Sequence, residues 1–218
     1  MPLHNRYTFY CTSLLLLAIL SCKENRRETT AAPAISVTHK PAAVPYEEVT
    51  QKLRSKYKRF AAKKQQDSLH ALLYNSISNI MPGYWNGTPW DFNGTTQMPG
   101  EGSIACGYFI TTVLEHTGYP LNRVRLAQQP SSVLIEATCK KIKRFGSLKE
   151  AKTYIASLPD NSIGIAGLDF HTGFIIKNIT GAYFFHSNYI SRRGVMNEPL
   201  DASRAFAASK TFMIGVLN

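Results

Sequence analysis

The sequence predicts an α+β fold on three observations. Leu69, Leu72, Leu73, Ile77 and Ile80 recur at helical spacing, and so do Phe109 and Val113 further along. After Pro159-Asp160-Asn161 the character changes to short β-rich runs. Two of these runs flank Ile179-Thr180-Gly181, a turn that makes them an antiparallel hairpin. Helices followed by an antiparallel sheet form the α+β pattern, and 218 residues with 44% hydrophobic content suit one core plus extensions.

Taken in order, the opening residues read as a targeting segment and not as part of the fold. Arg6 precedes an apolar stretch over residues 14–20, and Ser21 is a small residue before Cys22. The stretch is short for a membrane span, so cleavage is the expectation. Ile19-Leu20-Ser21-Cys22 resembles a bacterial lipobox. That implies cleavage before Cys22, a lipid on its thiol and a mature protein tethered to a membrane. An ordinary secretory signal with an incidental cysteine is the alternative. Residues 22–45, rich in Ala, Thr, Pro and charge, carry no apolar period and read as a flexible tether.

Residues 46–64 are charged and helix-prone, with Val49, Leu53 and Phe60 on one side. The second helix, on the leucine and isoleucine period, should stop near Pro82-Gly83. Between Gly83 and Gly102 lies a loop holding Tyr84, Trp85, Trp90 and Phe92, the composition of a pocket wall more than of a linker. A helix is expected over 105–116, ended by Gly118 and Pro120, and another over 148–157. Strands are expected over 162–168, 172–178, 182–186 and 212–217.

The net charge of +11 comes from 25 Lys and Arg against 14 Asp and Glu, concentrated over 52–64 and again over 140–144. No nucleic-acid motif accompanies either cluster, so no nucleic-acid partner is expected. A basic face near a lipid anchor would be drawn to anionic head groups or an anionic wall polymer; a solvated helix face without a partner is the other reading.

The chemistry centres on Cys106, in Gly102-Ser103-Ile104-Ala105-Cys106-Gly107-Tyr108, where a glycine-containing loop becomes an apolar helix. A helix N-terminus offers unpaired N–H groups and the positive end of the helix dipole, which favours the thiolate. His171 stands at the start of one strand and His186 on the next. That layout suits a nucleophile, a base and a group that orients the base, with Asn188 as the alternative orienter. Cys139 reads as a small packed residue, and the two thiols are not expected to pair. His70 and His116 read as ordinary helix residues. Cys106, His171 and His186 lack the close-spaced pair usual in zinc sites, so neither a metal nor a cofactor is expected.

Four segments carry a resemblance: Gly87-Thr88-Pro89-Trp90-Asp91-Phe92-Asn93-Gly94-Thr95; the Cys106 helix ending in Gly118-Tyr119-Pro120-Leu121; Phe170-His171-Thr172-Gly173-Phe174-Ile175; and Tyr183-Phe184-Phe185-His186-Ser187. Together, in this order, they resemble the NlpC/P60 family of cysteine peptidases over roughly residue 68 to the C-terminus. The resemblance implies a papain-like fold and cleavage of amide bonds in peptidoglycan stem peptides. It makes Cys106 the nucleophile, His171 the base and His186 the orienting residue, and it places Trp90 where the family usually has a tyrosine beside the site. The Cys106 N–H would form half of an oxyanion hole.

Two departures stand out, and the first is that the tryptophan-glycine-glycine that often follows the family tyrosine is here Phe92-Asn93-Gly94. The family commonly has Asp-Cys-Ser-Gly at the nucleophile, where this chain has Ala105-Cys106-Gly107-Tyr108. Ala105 and Gly107 cannot supply the carboxylate or hydroxyl that helps bind a stem amine. Asp91 either replaces that carboxylate or is a solvated loop charge, and Glu101 reads as the latter. Trp90, Asp91, Tyr84 and Tyr108 are the expected substrate-binding residues.

The expected organisation is a lipoprotein signal peptide over 1–21, the tether over 22–45, an N-terminal helical region over 46–82 and a papain-like catalytic domain over 83–218. The expected partners are peptidoglycan or another envelope amide and, through Cys22, the membrane. An amidase or acyltransferase acting on a lipid or small amide, and an inactive envelope-binding module, are the rival functions.

Overall fold

The computed structural model describes residues 44–217. Residues 1–43, where a signal segment, a lipidated Cys22 and most of a tether are expected, lie outside the described residues. Helix α1, Tyr46–Ala62, turns Tyr46, Thr50 and Leu53 inward, with Val49, Tyr57 and Phe60 half-buried beside them. Helix α2, Gln66–Asn75, buries Leu69, Leu72 and Leu73, the residues that its period marked.

The chain does not stop at Pro82. It passes through a π turn, Ser76–Ile80, and continues as α3, Met81–Trp85. Pro82 enters in the first turn of α3, where its missing N–H matters least, and the wide turn before it resets the hydrogen-bond ladder. This extension buries Met81 and Trp85 completely.

Helix α4, Cys106–Thr117, lies at the centre. Phe109 meets Phe185 edge-on at 4.9 Å, Trp85 at 5.8 Å and Phe174 at 6.1 Å, which fixes the helix against both the sheet and the N-terminal helices. Two short helices follow, α5 at Arg123–Ala127 and α6 at Ser131–Thr138. The sequence reading did not pick out either of them.

The sheet is six-stranded and antiparallel throughout its pairings, in the order β1-β6-β2-β3-β4-β5. Its strands are β1 Cys139–Phe145, β2 Ser162–Leu168, β3 Thr172–Asn178, β4 Gly181–Asn188, β5 Gly194–Pro199 and β6 Phe212–Leu217. Helix α7, Leu148–Ala156, connects β1 to β2, and the short helix α8, Arg204–Ala207, precedes β6. The predicted bounds of β2, β3 and β6 match, and the hairpin turn is held by Asn178 Oδ1, which accepts from Thr180 N and Gly181 N.

Alternation along the central strands sorts their residues into two cores. Ile163, Ile165, Phe174, Ile176 and Phe185 join the α1 to α4 side, while Ala166, Leu168, Ile175 and Phe184 pack with α7 and α8. Apolar groups on both faces explain why all of β2 is buried. At one edge, β1 exposes Lys140, Lys141 and Arg144, charges that discourage pairing with another chain.

Buried polar groups join the N-terminal helices to α4. Trp85 Nε1 donates to the Tyr46 hydroxyl at 2.7 Å, and that hydroxyl lies 2.8 Å from His116 Nδ1. Burial, with Arg54 and Arg123 nearby, lowers the pKa of His116 from 6.5 to about 4. His171 and His186 are lowered as well, chiefly by burial. As pH falls below 6.5 the unfolded chain binds protons on these histidines before the folded chain does, so stability drops with pH. His116 alone contributes about 3 kcal/mol across its window. A thermal melt series is expected to show Tm falling by about 6–12 °C between pH 6.5 and 4 from this histidine alone, and His116→Gln should flatten the slope.

Candidate active site

The loop that delivers the nucleophile is tightly pinned. Thr95 and Ile104 form an isolated β-bridge, Ala105 N donates to Gly94 O at 2.8 Å, and Ile104 N donates to Pro89 O at 2.9 Å. The Ser187 hydroxyl donates to Ile104 O at 2.7 Å and so ties β4 to the residue two before Cys106. Cys106 is then the first residue of α4, half-buried, and Cys139 is buried; both thiols are free.

Gly107 follows, and its place in the structure explains one departure noted in the sequence. A Cβ at this position would sit 2.5 Å from the carbonyl oxygen of Ala127 at the end of α5. The close approach of α5 excludes serine here.

His171 immediately precedes β3, and its Nε2 lies 2.8 Å from His186 Nδ1 on β4. His186 Nε2 in turn lies 3.1 Å from Glu198 Oε1 on β5. Glu198 reaches His186 because it pairs with Phe184 across β4 and β5, and Phe184 shares a face with His186 two residues on. The Phe184 ring stacks on His186 at 4.3 Å, and His171 meets Phe184 and Tyr189 at 5.8 and 5.1 Å. Both nitrogens of His186 are therefore engaged, which leaves it no lone pair for a metal. On His171, Nδ1 is buried with no hydrogen-bond partner.

Charges follow from these contacts. Burial raises the pKa of the Cys106 thiol, opposed by the backbone N–H groups of Thr172, Gly107 and Cys106 itself. The thiolate expected from the helix N-terminus is thus outweighed by desolvation in the free chain. His171 is held well below its ordinary value by burial first and by His186 second. Thiol and imidazole are both uncharged at neutral pH, as a base must be, and no hydrogen bond joins them in the free chain. Glu198 is lowered first by its hydrogen bond to His186, with Ser203 adding a second, so it is ionised.

Cys106 and His171 both line a cleft of about 680 Å³. Its walls include Trp90, Phe92, Tyr108, Phe170 and Tyr189, and none of its lining residues is Asp, Glu, Lys or Arg. Phe92 and Phe170 are 79% and 95% exposed, so these two rings would lose most water on contact with an apolar ligand. A smaller space of about 260 Å³ also borders Cys106 and His171 and extends toward Pro130 and Leu134. The thiol therefore stands where two spaces meet.

Of the substrate-binding residues expected from sequence, Trp90 and Tyr108 line the cleft. Asp91 does not; its Oδ1 accepts from Asn93 N at 2.9 Å and shapes a local turn. Tyr84 is also elsewhere, donating to Val44 O at 2.8 Å with its ring 5.2 Å from Tyr46. Asn188 does not orient the base, because its side chain accepts from Ile190 N and contacts Met196 Sδ.

Two residues that the sequence reading passed over complete the site. Glu198 is one. The other is Arg123, a buried guanidinium that donates to Thr112 Oγ1 at 2.7 Å and to the Thr95 and Thr96 carbonyls at 2.6 and 3.1 Å. It also lies over the Tyr108 ring at 4.9 Å and so braces α4, which carries that cleft wall, against the loop at Thr95 and Thr96. Neither residue carries a local signal: Arg123 sits in a short run of mixed apolar and basic residues, and Glu198 stands alone before Pro199.

A scan against protein-family models finds no match for this chain, and a search of curated proteins finds none either. The fold class is α+β, and function rests on the site.

Proposed function

We propose that this chain is a papain-like cysteine hydrolase of the cell envelope that cleaves an amide bond through an acyl-enzyme. The observation that carries the reading is the ordered series at the cleft: a thiol on a helix N-terminus, a buried imidazole with one nitrogen left bare, and a second imidazole bonded to the other nitrogen.

In this reading the Cys106 sulfur attacks the carbonyl carbon while its proton passes to His171 Nδ1. The oxyanion that forms is met by the Cys106 N–H. Collapse breaks the C–N bond, His171 returns the proton to the leaving amine, and a thioester remains on Cys106. Water, deprotonated by His171, then releases the acid and the free thiol. His186 holds the imidazole in place throughout. Peptidoglycan stems are the substrate that the resemblance implies, and a lipid on Cys22 would hold the domain at the membrane where they lie.

A second substrate reading, an amide carrying an uncharged apolar acyl group, is favoured by the cleft lining. A stem carboxylate lodged in the larger cleft would meet aromatic rings and amides without a cationic partner, and burying an unpaired charge is costly.

The test is to trap the intermediate. The protein is mixed in turn with stem peptides and with neutral acyl amides, quenched in acid, and its peptides are weighed. The expected result is an adduct on the Cys106 peptide equal to the acyl group less the thiol hydrogen, with one equivalent of amine released. Absence of both the adduct and the amine across the two series counts against the hydrolase reading.

A further inference from the structure

We infer that Glu198 fixes the tautomers of both histidines, and that this leaves His171 Nδ1 free of a proton and ready to receive the one on the thiol. The inference rests on the hydrolase reading of Cys106 and His171. It adds a fourth residue, which acts through the other three and touches no substrate.

The reasoning is a count of protons along the chain of contacts. An ionised carboxylate only accepts hydrogen bonds, so at 3.1 Å from Glu198 Oε1 the His186 Nε2 must carry a hydrogen. A neutral His186 protonated at Nε2 has a lone pair at Nδ1. The 2.8 Å contact with His171 Nε2 then needs a hydrogen on the His171 side. A neutral His171 protonated at Nε2 has its lone pair at Nδ1, the buried nitrogen that has no other partner. One carboxylate, two rings away, thereby decides which nitrogen of the base is bare.

The same bonds serve after proton transfer. When His171 takes the thiol proton at Nδ1 it becomes an imidazolium whose Nε2–H still donates to His186 Nδ1. No proton moves onto His186 or Glu198, and the new positive charge lies two hydrogen bonds from a carboxylate. Reverse the first bond and the logic inverts. With a donor in place of Glu198, His186 would carry its hydrogen on Nδ1, His171 would accept at Nε2, and Nδ1 would be protonated and unable to act as base. Neutral His186 is also required, and its burial, helped by the nearby charge of Arg193, favours that form against the pull of Glu198. Ser203, which caps α8, also favours the ionised form of Glu198.

The tautomers can be read by nitrogen NMR on the full chain labelled at histidine. The wild-type protein at neutral pH is expected to show hydrogen on Nε2 of both His171 and His186, and bare Nδ1 on both. In Glu198→Gln the amide can donate as well as accept, so a second set of signals with His171 protonated at Nδ1 is expected. The accompanying fall in kcat/KM should be about tenfold to a hundredfold, short of the roughly 10⁴-fold loss on the scale of a wrong tautomer imposed at every molecule.

A wild-type His171 protonated at Nδ1 overturns the inference, whatever the variants do. So do unchanged tautomers in both Glu198→Gln and Glu198→Ala, because another group must then set them. The wild-type measurement stands even where a variant fails to fold. The spectrum needs no turnover, so its outcome is separable from the hydrolase reading. The expected tautomers in a chain that forms no acyl adduct support the role of Glu198 and sink the reaction.

Discussion

Cys106→Ala is expected to lower amide turnover by a factor of about 10⁴ or more while leaving the fold intact. Cys106 is half-buried and lines a cleft, so removal of its sulfur opens little space inside the core. Its loss deletes the atom that bonds to carbon, and the remaining imidazole has no thiol proton to take. Serine in its place should do little better, because a hydroxyl in this setting lacks both the acidity and the nucleophilicity of sulfur. Residues that act as one unit fail together: His171→Ala should cost a comparable factor, and the double variant little beyond the worse single one. Circular dichroism and Tm check the fold, and steady-state rates on whichever amide forms the adduct check the chemistry. Retention of wild-type turnover by Cys106→Ala would remove the basis for calling the chain a cysteine hydrolase.

The second large effect is expected at Gly173. A Cβ built there falls 2.4 Å from Phe184 Cε2, 2.5 Å from Phe184 Cζ and 2.7 Å from His186 Cβ. The Phe184 ring cannot retreat, since it is fully buried between His186 at 4.3 Å and Phe206 at 5.4 Å. Gly173→Ala must therefore force β3 and β4 apart or push the ring into its neighbours. Overpacking of this kind costs about 2–3 kcal/mol, which in a domain of this size lowers Tm by about 4–12 °C. Activity should fall further than stability alone explains, because the displaced atoms include the backbone end of His186. A melt, with rates measured well below the new Tm, separates the two. Wild-type values for both would show that the strands have slack that the packing does not reveal.

Much of this was legible in the chain itself. The bounds of β2, β3 and β6 follow from apolar runs with clear turn residues between them, and α4 follows from its period and Gly118. Strand β1 was harder. Its lysines and arginine face water on a sheet edge, so apolar alternation is nearly absent and pairing with β6 carries the strand. Strand β5, Gly194–Pro199, the opposite edge, mixes Gly, Asn, Glu and Pro with two apolar residues, so no alternation marks it. Pro82-Gly83 signals a helix stop, and the chain runs on because a π turn, which no residue type announces, precedes it.

In the site, residues on regular elements with distinctive chemistry stood out: Cys106, His171, His186. Glu198 and Arg123 did not, because their roles come from cross-strand register and from a loop folding back, neither of which is local. Asp91 invited a binding role by its proximity in sequence to Trp90. A two-residue turn bond uses it instead.

The pinning of β4 to the residue before Ala105 has a wider meaning for how the site holds its shape. His186 and Glu198 ride on adjacent strands, and His171 stands at the head of a third, so their mutual spacing is inherited from the ladder. A one-residue slip would turn side chains to the opposite face, which the two apolar cores forbid. The sulfur belongs to a different body, a helix start. The Ser187 hydroxyl on Ile104 O bridges the seam between them, and the Thr172 backbone favours the thiolate from across it. The machinery thus divides into a proton-handling half that is stiff by construction and a bond-making half whose distance from it is set along one narrow join. Tuning of reactivity, by ligand or by substitution, has that join as its natural point of entry.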